Sequence, residues 1–189
     1  MEFLNKLNCE LNRQDLIRDL KLYGKRWPAE MDNVDQISKF LMDEKNGYNR
    51  DCWHGHITGS AWLVDPGGEQ VLLTHHKKLN RWLQLGGHSD GDENTLRVAM
   101  REAEEESGLK IQPTNSEIFD IDIHTIPARK TEPEHLHLDI RYVFQAESTD
   151  ERVSEESHAL AWVPVRELSS FTTEESMLRM AKKWLDRQF

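Results

Sequence analysis

The stretch GGHSDGDENTLRVAMREAEEESGL, residues 86–109, decides how this chain is read. It runs from a double glycine through a short polar loop into a helix that should end at Gly108 in a left-handed cap. Leu96, Ala99, Met100 and Ala103 recur at helical spacing and form the stripe that faces a core. Glu102, Glu105 and Glu106 fall on the adjacent face, within roughly a 100° arc. Like charges at this spacing cost roughly 0.2–0.5 kcal/mol per pair, and the end of a helix is already negative. Pairing of Arg101 with Glu105 offsets part of that cost. A solvated acidic face is the usual fate of such a run. A divalent cation is the reading that uses all three carboxylates together, because hard oxygen donors suit Mg²⁺ or Mn²⁺.

The rest of the chain supplies a frame for this helix. Its 189 residues suffice for one domain with a real core. The turn at Asp65-Pro66-Gly67-Gly68 separates two strand patterns in HITGSAWLVDPGGEQVLLTHHK, and RWLQL is a short strand running into Gly86-Gly87. IFDIDIHTI, HLHLDIRYVFQA and HALAWVPV alternate as strands do. TEESMLRMAKKWLDRQ closes the chain as an amphipathic helix, with Thr172 and Glu175 in a capping-box arrangement. Residues 1–50 read as two helices, the first stopping at Gly24 and Pro28 and the second at Gly47, an N-terminal helical extension serving as a packing arm or as the contact of a homodimer. Residues 51–189 are the main domain, and the class is α+β with a mixed sheet.

Composition narrows the function. A formal net charge of −10 argues against a nucleic-acid polymer as partner, since phosphates need a basic face. A small anionic ligand would need a cation to meet it. No apolar run approaches a membrane span, and the first residues lack a signal-peptide pattern. Cys9 and Cys52 have no metal or disulfide spacing. We expect reduced thiols in a cytoplasmic protein.

The flanks of the acidic helix are specific. Gly87, then five residues, Glu93, seven residues, Arg101-Glu102, Ala103, Glu104, Glu105-Glu106, Ser107, Gly108 and Leu109 resemble the signature of the Nudix hydrolase family at every fixed position. Ala103 stands where a larger aliphatic residue is usual. LAWVPVREL, residues 160–168, is similar to the family's late strand, so the resemblance covers about residues 55–189. It implies an α/β/α sandwich and metal-dependent hydrolysis of a pyrophosphate bond in a nucleoside diphosphate joined to another group. Nucleoside diphosphate sugars, ADP-ribose, dinucleotides and nucleoside triphosphates all stay open.

The resemblance also implies roles. Glu102, Glu105 and Glu106 would be metal ligands, joined by the Gly87 or Gly86 carbonyl. Arg101 would orient a glutamate, and Glu93 and Gly108 would be structural. Glu105 or Glu106 would be the general base, or else a later glutamate among Glu132, Glu134, Glu155 and Glu156.

Beyond the motif, HLHLDIR places His135, His137, Asp139 and Arg141 on one strand face. His54 and His56 alternate likewise, and His88 follows the glycines. These groups read as the lining of a substrate cleft, as an accessory Zn²⁺ or Mn²⁺ site, or as a solvated face. GHSDG, residues 87–91, also fits the serine-hydrolase elbow, with Ser89 as nucleophile, although a helix should then begin at the serine. A domain of this fold that binds a nucleotide without cutting it is the other rival. Such domains usually lose the acids that are all present here.

Overall fold

The computed structural model describes residues 11–77, 80–129, 132–151 and 157–186. Two helices, α1 (Arg13–Arg26) and α2 (Met31–Asp43), precede strands β1 (Gly55–Val64), β2 (Gln70–His76), β3 (Arg81–Leu83) and β4 (Leu85–His88). The acidic helix is α3 (Thr95–Ser107), followed by β5 (Ile111–Pro113), β6 (Asp120–Ile126), β7 (His135–Ala146), β8 (Ser157–Pro164) and α4 (Glu175–Asp186). The eight strands among the described residues form one mixed sheet. Its centre is β1 paired in parallel with β7, and the other ladders are antiparallel. The architecture is α+β, a sheet between helical layers.

Period-two alternation on β1 and β7 divides the core. Ile57, Ala61, Leu63, Leu138, Ile140 and Phe144 pack on α1, α2 and α3. Trp62, Val64 and Val143 pack on the opposite side with Met177, Met180 and Ala181 of α4. The helix α3 behaves as its sequence demands: Asn94 caps its start by accepting from Arg97 N, and Gly108 ends it at φ 67°.

The first two helices are no loose appendage. Leu16, Leu20, Tyr23, Val34, Ile37 and Leu41 belong to the same buried cluster as the strands, so the apolar stripes are used within the chain. α1 ends at Arg26, just before Pro28 as expected, but Gly24 does not stop it. Gly24 lies inside the helix because α2 crosses there, and a Cβ would sit 2.7 Å from Met31 Sδ. Three further details differ from expectation. RWLQL is split into β3 and β4, and β5 had no sequence signal. At α4, which begins at Glu175, Thr172 Oγ1 accepts from Glu174 N just before the helix, so Glu175 is the first helical residue and the expected capping box is not formed.

A buried ion cluster joins the two ends of the chain to the sheet. Asp120 on β6 accepts from Arg141 Nη1 at 3.1 Å, Arg179 Nε at 2.9 Å and Lys183 Nζ at 2.6 Å. Lys183 also pairs with Glu30 at 2.6 Å and donates to Tyr23 Oη at 2.6 Å. Removing one partner of such a network leaves buried charge unpaired, at a cost of about 3–5 kcal/mol. Asp120→Asn is therefore expected to lower unfolding free energy by about that amount in urea titrations. A loss below about 0.5 kcal/mol would show the cluster to be energetically idle.

Candidate active site

The parallel register of β1 on β7, continued by β6, builds three polar rows on one sheet face. They are His56–His137–His124, then Thr58–Asp139–Asp122, then Ser60–Arg141–Asp120. α4 covers the far end of this face. The near end is the floor of a cleft of about 320 Å³, whose rim includes Gly86, Gly87, His88 and Glu102.

The carboxylates of α3 meet the glycines at that rim. Glu106 Oε1 accepts from Gly86 N at 2.9 Å. Glu102 lies directly on Gly87, where a Cβ would collide with its Oε2. Arg101 Nη2 donates to Glu102 Oε1 at 2.8 Å and to the His88 carbonyl at 3.0 Å. Arg101 thus pairs with Glu102 rather than with Glu105, and ties the helix to the glycine strand. Burial pushes the Glu102 carboxyl up, with the Arg101 guanidinium opposing and Glu105 adding to the rise. Glu105 is exposed on the next turn. Glu93 is structural in a way the spacing did not reveal: its Oε2 accepts from Arg13 N at 2.8 Å, fastening the loop to α1. Glu102 and Glu106 beside the glycine backbone, with Glu105 on the next turn, are hard-oxygen donors of the kind that fits Mg²⁺ or Mn²⁺.

The floor is rich in imidazole. Six of the nine histidines line the cleft: His56, His76, His88, His124, His135 and His137. His56 Nε2 and His137 Nε2 are 3.0 Å apart, and the His56 and His88 rings lie 5.0 Å apart. Burial, then the neighbouring imidazoles, lowers His56 to about 4 and His137 to about 2. Burial and the Arg50 charge lower His88.

The other expected residues divide. His88, His135, His137 and Asp139 line the cleft together with His56. His54 does not; it pairs with Glu44 at 2.7 Å on the surface. Asp139 is on the floor, but its oxygens already accept from Thr58, Ser60, Gln84 and Arg141. Arg141 corrects the expectation of a substrate contact. Its guanidinium is buried under α4 and is held by Asp139, Asp120 and Asp122. Ser89 is also corrected: its hydroxyl is buried and has no hydrogen-bond partner among the described residues, so none of them activates it as a base. Glu132 lines the cleft, whereas Glu155 and Glu156 lie outside the described residues. Arg50 and Arg129 line it too and were not read from sequence, because both sit in irregular segments with no periodic signal. Arg50 is held bidentate by Asp90 at 2.6 and 2.5 Å.

Comparison with known proteins agrees with this geometry. A family model described as NUDIX domain matches residues 55–185. A crystal structure of a NUDIX-family hydrolase from Clostridium perfringens is 30% identical, with TM-score 0.55, covering 71% of this chain and 98% of that one. A MutT protein from Methanosarcina mazei Go1 is 19% identical, with TM-score 0.52, over 70% of this chain and 94% of that one. An Ap4A hydrolase from C. elegans is 14% identical, with TM-score 0.50, over 69% and 96%. The last two are similar in fold alone. No curated protein matches the chain. The chain belongs to the Nudix family, and it is an enzyme of the Nudix hydrolase class.

Two outcomes follow from the site. In Gly87→Ala the new Cβ displaces the far end of Glu102, a flexible side chain, so folding should be nearly unchanged. Mn²⁺ affinity, read by electron paramagnetic resonance, should fall at least about tenfold. Undiminished affinity would remove Glu102 from the metal set.

The second outcome concerns pH. His56 and His137 stay neutral in the fold, while unfolded imidazoles protonate near 6.5. The unfolded state therefore binds more protons below about pH 6.5, and stability falls as pH drops from there towards 4. Each imidazole contributes up to about 1.4 kcal/mol per pH unit in that window. Asp122 acts lower down: burial raises it, but the His124 hydrogen bond and Arg141 charge outweigh this and hold it at about 2. Urea midpoints between pH 7.5 and 5 should fall less steeply in His137→Gln than in wild type. Parallel slopes would mean that His137 is not kept neutral by the fold.

Proposed function

We propose that this enzyme hydrolyses the pyrophosphate bond of a nucleoside diphosphate joined to another moiety, using Mg²⁺ or Mn²⁺. The observation that carries the reading is the convergence of Glu102 and Glu106 on the Gly86–Gly87 backbone at the rim of the cleft. Glu102, Glu105 and Glu106, with the Gly87 or Gly86 carbonyl, would hold the ion. When bound, such an ion neutralises phosphate charge and lowers the pKa of the attacking water.

The chain's own groups do the rest. Arg101 fixes the Glu102 carboxylate and the His88 carbonyl, so the ligand edge is formed before substrate arrives. Glu105 or Glu106 accepts the water proton, or else Glu132, which lines the cleft. Arg129, and Arg50 whose guanidinium is shared with Asp90, line the cleft where the diphosphate enters and help a protein of net charge −10 take an anion. The neutral imidazoles and Gln84 offer hydrogen bonds to the base or sugar. The substrate is a small molecule. No helix among the described residues is long and apolar enough to cross a membrane.

The test is a panel of nucleoside diphosphate sugars, ADP-ribose, dinucleotides and nucleoside triphosphates, assayed with Mg²⁺ and Mn²⁺. One class should turn over, EDTA should abolish it, and Glu105→Gln or Glu106→Gln should lose at least about 10²-fold in rate. Wild-type rates in both variants would sink the assignment. Silence across the panel, in folded protein whose melting point a nucleotide still raises, would make this a nucleotide-binding regulator.

A further inference from the structure

We propose that His56, His88 and His137 form a second metal site, selective for Zn²⁺ and chemically separate from the carboxylate set on α3. One ring nitrogen from each lies within 4.8 Å of the other two. The His56–His137 edge is already 3.0 Å. Zn–N bonds of about 2.0–2.1 Å in a tetrahedron place nitrogens about 3.3–3.4 Å apart, so His88 closes the site by a side-chain adjustment of roughly 1–1.5 Å.

The three rings come from three hydrogen-bonded strands. His56 on β1 stands beside His137 of β7, and His88 lies on β4 at the other side of β1, paired with Thr58. Their spacing is thus set by the sheet, the most rigid part of the molecule, rather than by a loop. Three neutral nitrogen donors leave the fourth position to water or a ligand oxygen, and the cleft is open there. Donor chemistry separates the two sites: imidazole prefers Zn²⁺, while the carboxylates of α3 prefer Mg²⁺ or Mn²⁺. A cluster held by hydrogen bonds alone satisfies the 3.0 Å contact but gives no reason for His88 to join it.

The proposal does not depend on the hydrolase reading, because the ligands differ. Metal-stripped full-length protein is titrated with Zn²⁺ against a chromogenic chelator, in excess Mg²⁺ to fill the carboxylates. One equivalent should bind, at least about 100-fold more weakly in His88→Ala and His137→Ala and unchanged in Glu105→Gln. Zinc-edge X-ray absorption of the wild-type protein, which needs no variant to fold, should show three imidazoles. An oxygen-only shell, or Zn²⁺ lost in Glu105→Gln and kept in the histidine variants, would place the ion on α3. No Zn²⁺ held in the presence of Mg²⁺ would reduce the histidines to a hydrogen-bonded lining. Either result overturns the proposal.

Discussion

The parallel register between β1 and β7 is the constraint on which the rest of the molecule depends. Side chains alternate strictly along a strand, so a slip of β1 by one residue against β7 would exchange the two faces of β1. His56, Thr58 and Ser60 would turn into the helical layer formed by α1, α2 and α3, and Ile57, Ala61 and Leu63 would turn out into the cleft. Desolvating those polar groups and exposing those apolar ones are both unfavourable, which makes the observed pairing the only tenable one. The cleft floor is therefore as well specified as the hydrophobic core, because both come from one alignment.

Along that face the chemistry is graded. His56 and His137, kept neutral by burial, lie at the open end. In the next row the Asp139 carboxylate is satisfied by two hydroxyls, an amide and a guanidinium. Under α4 lie the paired charges around Asp120. Each step towards the interior exchanges solvent for a fixed partner, as burial of polar groups requires. Asp139 hinges the gradient, since it touches both the cleft and the interior cluster through Arg141.

Much of this was legible in the residues. The acidic helix, its cap at Gly108, the long strands and the turn at Asp65 follow from periodicity and turn chemistry. The spacing around Gly87 and Arg101 named the rim. Strand alternation also put His137, Asp139 and Arg141 on one face. What alternation cannot give is depth: whether Arg141 meets solvent or is sealed depends on α4, whose Met180 and Arg179 lie far along the chain. Gly24 misled for a similar reason, since a glycine that ends a helix and one that admits a crossing helix look alike in sequence. Arg50 and Arg129 reach the cleft from irregular segments, where no repeat marks direction.

Glu93 shows how far such a long-range contact extends. It lies in the loop that leads from the glycines to α3, and it accepts a hydrogen bond from the first residue of α1. Arg13 in turn donates to the carbonyls of Leu41 and Glu44 at the end of α2. The family-wide part of the chain and the segment preceding it are thus sutured through a residue of the motif itself. Opening of the loop therefore breaks a hydrogen bond at the start of α1, and fraying of α1 takes from the loop a partner it holds in the fold.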